Sequence, residues 1–180
     1  MARISSGLGS RIRIMWYRLM GVVIGKRCWF GKISIPRNWS DISLHSCGLD
    51  DGVILLCTGA SKRGKITIEQ GAYINRYSMI DAHESIIISK ECMIGPHCYI
   101  TDGDHGMEMD IPVGKQPMTT APVFLEEGVW LGAGVKVLKG VTIGRHAVVG
   151  AGAVVTKSIP EGAIAVGVPS RVIGFKNLEK

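Results

Sequence analysis

The sequence predicts a mostly β protein in which short strands stack as successive coils. The chain of 180 residues contains 22 isoleucines and 16 valines against only 10 leucines, together with 24 glycines. β-Branched residues favour strands and glycine is frequent in tight turns, whereas a helix bundle would be rich in leucine and alanine. A six-residue repeat completes the argument, because it shows how the strands are arranged.

The strongest part of this repeat consists of six consecutive six-residue units. Each unit opens with an aliphatic residue and has a small or aliphatic residue four positions later. Period six is a multiple of the two-residue strand period and does not match the helical period of 3.6. We therefore predict that the opening residues all point to one face and are buried between neighbouring coils. These residues are Leu125, Leu131, Val137, Ile143, Val149 and Val155.

The same repeat occurs earlier, from 68 to 80 and from 88 to 100, with a step of eight residues between the two stretches. One turn has therefore gained two residues. Cys92 and Cys98 occupy the same position in successive units, and we predict that they are small core side chains rather than ligands or redox centres. Between 22 and 65 the repeat is irregular, which predicts less regular early coils.

These patterns divide the chain into an N-terminal helical segment (1–21), a solenoid domain (22–173) and a C-terminal tail (174–180). We expect the helical segment to cap the open end of the solenoid. Its basic, amphipathic pattern leaves a second possibility open, namely that residues 1–20 make a peripheral contact with a membrane. Four apolar residues fall on one face of this helix: Ile12, Met15, Trp16 and Leu19.

The net charge and the cysteine content indicate which partners and which kinds of site can be expected. The net charge of +6 allows an anionic partner. Nucleic acid is not expected, because the basic residues form no dense run and aromatic residues make up only 6% of the chain. The five cysteines include no CxxC pair, so we expect neither a disulfide framework nor a zinc knuckle, and we expect a cytoplasmic protein.

The repeat is interrupted between Ile100 and Val123, and we predict a protruding loop over 101–122. The segment is rich in glycine, proline and acidic residues and has no strand pattern. A long loop inside regular coils is usually functional. His105 lies at its root, so it is the first candidate for chemistry.

The sequence resembles the hexapeptide-repeat acetyltransferases, whose fold is a left-handed parallel β-helix. The resemblance covers 68–173 and is most specific in Val129-Trp130-Leu131-Gly132 and in the terminal segment 165–173. It is closest to the sugar O-acetyltransferases of the galactoside and maltose types and their polysaccharide-modifying relatives. Many of the latter have a histidine where this chain has Gly103.

The resemblance implies an acetyl-CoA-dependent O-acetyltransferase that acts on a saccharide, or on a lipid-linked or nucleotide-linked sugar, in bacterial surface polysaccharide biosynthesis. It implies a homotrimer with active sites between subunits, located in the cytoplasm or at the inner face of the membrane. His105 would be the catalytic base. Asn75, Asp102 and Asp104 are the acceptor-side candidates, and either aspartate could instead orient His105. The acetyl-CoA candidates are Trp130, Ala133, Ala151, Gly152, Thr156, Lys157 and Arg171.

Three alternatives remain. A purely structural β-helix scaffold would bind no acetyl-CoA. A serine or amino-sugar acetyltransferase would share the reaction class with a different acceptor. A zinc-dependent carbonic anhydrase of the same architecture needs three histidine ligands. The spacing of His83, His97 and His105 does not resemble that enzyme's, so no metal is expected.

Overall fold

The structure is a computed structural model that describes residues 2–59 and 65–176. Over these ranges the chain forms a parallel β-helix with one helix at its N-terminal end and a protruding segment in its middle. The predicted fold class is therefore confirmed.

In the described part of the chain, the regular elements are one α-helix, 21 short strands and two 3₁₀ turns. They are α1 (Ala2–Leu19), β1 (Val23–Ile24), β2 (Trp29–Phe30), the first 3₁₀ turn (Trp39–Asp41), β3 (Ile42–Leu44), β4 (Gly48–Leu49), β5 (Ile54–Cys57), β6 (Ile66–Ile68), β7 (Tyr73–Ile74), β8 (Met79–Ala82), β9 (Ile86–Ile88), β10 (Met93–Ile94), β11 (Tyr99–Thr101), β12 (Gly103–His105), the second 3₁₀ turn (Val113–Lys115), β13 (Met118–Thr120), β14 (Val123–Leu125), β15 (Trp130–Leu131), β16 (Lys136–Val137), β17 (Thr142–Ile143), β18 (Val148–Val149), β19 (Val154–Val155), β20 (Ala163–Val166) and β21 (Arg171–Phe175).

Three sheets form the walls of the β-helix. Their strand orders are β1-β3-β6-β9-β14-β17, β2-β4-β7-β10-β15-β18-β20-β21 and β19-β16-β11-β8-β5. Within these sheets all pairings are parallel except that of β20 with β21. A functional side chain in one coil therefore lies beside the equivalent residue of the next coil, about 4.8 Å away.

The aliphatic residues of the repeat form the core, as predicted. All six opening residues from Leu125 to Val155 are fully buried, and so are their counterparts from Ile68 to Ile100. Cys92 and Cys98 are buried among them, which confirms their assignment as core side chains. Because neighbouring coils bury one another's aliphatic side chains, no coil has a complete core of its own.

Glycine at the corners of the β-helix allows the coils to stack closely. A Cβ atom on Gly132 would lie 2.6 Å from the backbone nitrogen of Ala151, and one on Gly95 would lie 2.8 Å from that of Ala133. Both distances are shorter than real Cβ atoms tolerate. The repeated glycine therefore reflects the approach of the next coil rather than a left-handed backbone conformation.

Helix α1 caps the N-terminal end of the solenoid, but not with the face that its apolar pattern suggests. Ser10, Arg13 and Tyr17 face the first coil and form hydrogen bonds with its backbone. The predicted apolar residues Ile12, Met15, Trp16 and Leu19 are exposed instead. These hydrogen bonds, together with the packing of Ile14 and Tyr17 against the core, thus fix the orientation of the helix. No helix in the described ranges is long and apolar enough to cross a bilayer.

The interrupted segment is more regular than predicted at its root. Strands β12 and β13 pair in antiparallel register, with His105 opposite Met118 and Gly103 opposite Thr120. The two strands are joined by backbone hydrogen bonds and by one from the Thr119 hydroxyl to Asp104 O at 3.3 Å, so the ribbon needs no apolar alternation in the sequence. His105 consequently lies on a strand rather than on an irregular loop.

The C-terminal end of the solenoid is formed by the antiparallel pair of β20 and β21. Strand β21 extends to Phe175, two residues beyond the predicted end of the domain at 173. The predicted tail therefore begins within a strand, and its last four residues, 177–180, lie outside the described residues.

Candidate functional site

An open cavity of about 410 Å³ lies where the ribbon leaves the five-stranded sheet. It is bounded by side chains from three successive coils and from both strands of the ribbon. His105 lines this cavity, as its position at the root of the interruption predicts. The lining residues are Asp81, His83, Tyr99, Thr101, Gly103, Asp104, His105, Met118 and Leu138.

One wall of the cavity carries three polar side chains, those of Asp81, His83 and Tyr99. The hydroxyl of Tyr99 donates to Asp81 Oδ2 at 3.0 Å, and His83 Nε2 lies 3.7 Å from Asp81 Oδ1. On the other side of its ring, His83 Nδ1 is 2.7 Å from the hydroxyl of Thr58. Burial, reinforced by the charge of Asp81, raises the pKa of Tyr99. The phenol therefore stays protonated and donates to the carboxylate.

Asp81 Oδ1 is buried and accepts no hydrogen bond from the described residues. A buried carboxylate oxygen without such a partner is costly, unless a ligand or water supplies the missing donor. Because Asp81 lines the cavity, this oxygen can accept a hydrogen bond from a bound hydroxyl or amine.

Asp102 does not contact the cavity, and the prediction that it binds substrate or orients His105 is wrong. Its side chain is fully buried and its two carboxylate oxygens accept hydrogen bonds from the backbone nitrogens of three consecutive residues, His83, Glu84 and Ser85, at 2.5–2.8 Å. Asp102 thereby holds the lengthened turn of the preceding coil, and with it the His83 ring. Charge-assisted bonds of this kind rigidify a turn.

Asp104 lines the cavity next to His105, and its role on the acceptor side stays a prediction. Its Oδ2 lies 3.6 Å from Lys139 Nζ, and Lys139 also donates to the hydroxyl of Thr119 at 2.6 Å. These contacts tie the ribbon to the coil that follows it, which fixes the position of His105 relative to Leu138.

Two of the predicted acetyl-CoA residues lie next to the cavity. Leu138 N donates to Val155 O, so Leu138 and Thr156 occupy equivalent positions in neighbouring coils. Thr156 and Lys157 are therefore about one strand spacing beyond the cavity wall. We name this column of residues, Leu138 with Thr156 and Lys157, the Leu138 edge.

The remaining predicted acetyl-CoA residues lie elsewhere on the chain. Ala133, Ala151 and Gly152 stack at the corner between the eight-stranded and five-stranded sheets, where Gly152 N donates to Ala133 O at 2.8 Å. We name this column the Ala133 corner. Trp130 lies just before it, on the eight-stranded sheet, with its side chain 55% exposed.

Arg171 and Asn75 do not line the cavity either. Arg171 is an exposed residue of β21 whose guanidinium donates to Ser170 O at 2.9 Å. Asn75 Oδ1 accepts a hydrogen bond from the backbone nitrogen of Arg76 at 2.7 Å, which is a turn-stabilising contact. The binding roles of both residues stay predictions.

Sequence reasoning missed the wall of Asp81, His83 and Tyr99. A signal was present, because the eight-residue step after Ile80 marks a turn that is two residues longer than its neighbours. This turn lies one coil before the interruption and on the same side of the solenoid. A lengthened turn beside a protruding loop is a place where additional site residues can be sought.

No cluster of three or more histidine, cysteine, aspartate or glutamate side chains able to hold a metal ion occurs within residues 2–59 and 65–176. His83 and His105 share the cavity, whereas His97 stacks on Tyr77 with ring centroids 5.4 Å apart. The three histidines therefore do not converge.

The comparisons with known proteins agree with this geometry. Residues 122–157, which include the Ala133 corner and the Leu138 edge, match the family model described as bacterial transferase hexapeptide (six repeats). Over these residues the chain is similar to that transferase family. The interruption that carries His105 directly precedes the matched repeats of this hexapeptide-repeat protein.

Several known proteins are similar to this chain. The putative lipopolysaccharide biosynthesis O-acetyl transferase WbbJ of Escherichia coli is 35% identical over 65% of this chain and 64% of its own length. The solved structure of the N-acyltransferase AntD from Bacillus cereus, in complex with dTDP and coenzyme A, has a TM-score of 0.76 at 26% identity and covers 89% of this chain and 88% of its own. A galactoside acetyltransferase in complex with coenzyme A has a TM-score of 0.60 at 27% identity, covering 74% and 66%. The chain spans less than two thirds of the length of the first curated relatives that it matches.

Proposed function

We propose that this hexapeptide-repeat protein is an acetyl-CoA-dependent acetyltransferase whose acceptor is a saccharide hydroxyl. The acceptor belongs to bacterial surface polysaccharide biosynthesis and is a free, lipid-linked or nucleotide-linked sugar. The similarity to WbbJ and to the galactoside acetyltransferase supports the reaction and this class of acceptor.

The observation that carries the proposal is the position of His105. Its imidazole lines an open cavity that also contains Asp81, a carboxylate with one oxygen available for a ligand donor. A cavity with a general base and a hydrogen-bond acceptor suits an acceptor that carries several hydroxyl groups. A scaffold would have no need of such an arrangement.

The chemistry follows from the roles of these two groups. Asp81 accepts a hydrogen bond from one hydroxyl and orients the sugar, while neutral His105 removes the proton from the hydroxyl that reacts. The resulting oxygen nucleophile attacks the thioester carbonyl carbon and forms a tetrahedral intermediate. When the carbon–sulfur bond breaks, the imidazolium returns its proton to the departing thiolate, so that acetylated sugar and free CoA thiol are the products.

Acetyl-CoA must place its thioester beside His105, and the Leu138 edge offers the nearest surface. Thr156 and Lys157 continue this edge away from the cavity, in position to contact the pantetheine arm. The Ala133 corner and Trp130 lie beyond the five-stranded sheet and cannot border the same cavity in one chain. A homotrimer in which the corner of one copy faces the edge of another would unite all the predicted acetyl-CoA residues except Arg171.

The proposed trimer can be tested through the mass of the protein in solution. Sedimentation equilibrium of the purified protein should give three times the 19.4 kDa chain mass. Replacement of Trp130 with glutamate should lower this mass or the affinity for acetyl-CoA. A single-chain mass combined with full activity would contradict the proposed arrangement.

The enzymatic proposal is tested by following the release of free thiol from acetyl-CoA with a panel of sugars and nucleotide sugars. We expect thiol release that depends on an acceptor, and binding of acetyl-CoA in the absence of one. A scaffold would bind no acetyl-CoA, so failure to detect binding by calorimetry would contradict the proposal.

A second candidate, N-acylation of an amino sugar, is favoured by the similarity to AntD, which extends over most of both chains. The same catalytic groups would serve an amine. The acceptor panel therefore includes matched pairs of sugars that differ only in a hydroxyl or an amino group. If the amino sugar of a pair is turned over faster than the hydroxyl sugar, the reaction is N-acylation rather than O-acetylation.

We also propose that the protein acts in the cytoplasm or at the inner face of the membrane. The presence of five cysteines, all of them free thiols in the structure, supports a reducing compartment. Recovery of the native protein from the periplasmic fraction of the source cells would contradict this location.

A further inference from the structure

The N-terminal end of the β-helix presents an uncovered apolar helix face. Five large apolar side chains on the outward face of α1 are between 56% and 78% exposed: Leu8, Ile12, Met15, Trp16 and Leu19. They recur at the three- and four-residue spacing of one helical face. A contiguous apolar surface of this kind indicates an interaction site.

The inward face of the same helix explains why these residues cannot turn towards the core. Ser10 is buried and its hydroxyl accepts a hydrogen bond from Phe30 N at 2.9 Å. Arg13 donates twice to Phe30 O, at 2.9 and 3.2 Å, and the Tyr17 hydroxyl donates to Ile33 O at 3.0 Å. These contacts satisfy the backbone of the exposed first coil, so the helix is held with its apolar face outward.

The positive charge of the protein is concentrated at the same end. Eight basic and no acidic residues precede Asp41, whereas the rest of the chain has thirteen basic and fifteen acidic residues. The entire net charge of +6 therefore originates in α1 and the coil that follows it. This distribution gives the elongated molecule one strongly basic end.

Some of these basic side chains border the apolar face directly. A cavity of about 360 Å³ between α1 and the first coil is lined by Arg11, Arg18 and Arg27, together with Met15 of the apolar face. The guanidinium of Arg18 already donates hydrogen bonds to Ile24 O and Gly25 O, so fewer of its donors are available to a ligand. Arg11 and Arg27 are exposed, and none of the described residues that line the cavity is acidic. The cavity is suited to an anionic group such as a phosphate.

We propose that this end of the protein docks on a bilayer that contains anionic lipids. The apolar face of α1 enters the boundary between headgroups and acyl chains, and Arg11 and Arg27 contact lipid phosphates. An interfacial helix binds by burying an apolar face while basic residues are attracted to the anionic surface. A second copy of the same face is a poorer occupant, because it would bring two strongly basic ends together.

The inference does not depend on the proposed acetyltransferase activity. The contact surface lies at the N-terminal cap, and none of its residues lines the His105 cavity. Loss of membrane binding and loss of acetyl transfer to a soluble sugar can therefore be measured separately.

The test is co-sedimentation of the full chain with two kinds of vesicle. One consists of phosphatidylcholine alone, and the other also contains about 30 mol% phosphatidylglycerol, which gives its surface a negative potential. We expect binding to the anionic vesicles that weakens as salt is added. The double variant Ile12→Gln, Trp16→Gln should reduce this binding about tenfold or more, because two apolar side chains that become buried in the bilayer are lost. The double variant Arg11→Gln, Arg27→Gln should reduce it on the order of 30-fold and weaken its salt dependence.

The matched control is Met107→Gln, Met109→Gln, which removes two still more exposed apolar side chains, 85% and 98% exposed, from the protruding segment. This control should bind vesicles like the unaltered protein. Circular dichroism and sedimentation establish that every variant remains folded. The proposal is overturned if the unaltered protein stays in the supernatant with anionic vesicles, or if the helix and control variants bind equally. It is also overturned if Ile12→Gln, Trp16→Gln splits an oligomer without changing vesicle binding, since the face would then be an interface between copies.

Discussion

Replacement of His105 with alanine is expected to reduce acetyl transfer about 10²- to 10⁴-fold, the usual contribution of a positioned general base. A sugar hydroxyl is a poor nucleophile at neutral pH, and His105 is the cavity residue that best combines a suitable base with access to the bound acceptor. The substitution removes no buried contact, because the side chain is exposed. The affinity for acetyl-CoA, measured by calorimetry, should therefore remain nearly unchanged.

The matched control for this experiment is His45→Ala, which removes another exposed imidazole from a corner outside the cavity. Its turnover should equal that of the unaltered protein. Asp81→Asn should mainly raise the KM for the acceptor, since Asp81 is assigned to orientation rather than to proton transfer. Unchanged turnover of His105→Ala would show that another group acts as the base.

Replacement of Gly132 with alanine is expected to destabilise the fold by about 3 kcal/mol, at the upper end of typical overpacking costs. The added Cβ would lie 2.6 Å from Ala151 N and 2.9 Å from its Cα, and both are backbone atoms that cannot rotate away. The two coils would have to separate, which weakens the parallel pairing of β15 with β18. The free energy of unfolding from denaturant titration provides the measurement.

Gly174→Ala is the appropriate comparison, since a Cβ there meets nothing within 4 Å and the backbone does not require glycine. Its free energy of unfolding should change by no more than about 0.5 kcal/mol. If the two alanine variants were equally stable, close stacking of the coils at Gly132 would not be the reason for glycine at this corner.

The core of the β-helix could be predicted because its determinants are local and repeated. The aliphatic residues from Leu125 to Val155 recur at every sixth position, and strand geometry alone then directs them all to one face. The structure buries every one of them. His105 could be predicted to stand at the root of a protruding segment for the same reason, because the interruption is visible only against a regular repeat.

The rest of the site could not be predicted, because it is assembled between coils. Asp81 and Tyr99 are eighteen residues apart in the sequence and meet only because β8 and β11 are neighbours in the five-stranded sheet. Asp102 looked like a loop carboxylate beside His105, yet it caps the turn of the previous coil. The distance between two side chains of different coils depends on how the coils are aligned, and the residue types alone do not specify this alignment.

The sequence by itself determined the repeat, the buried aliphatic columns, the place of the interruption and the amphipathic nature of the first helix, since each follows from the spacing of residues along the chain. Only the tertiary structure decided which face of α1 turns outward and which side chains surround His105. The physical reason is the same in both cases: the deciding hydrogen bonds, from Arg13 and Tyr17 to the first coil and from Tyr99 to Asp81, join residues from separate segments of the chain.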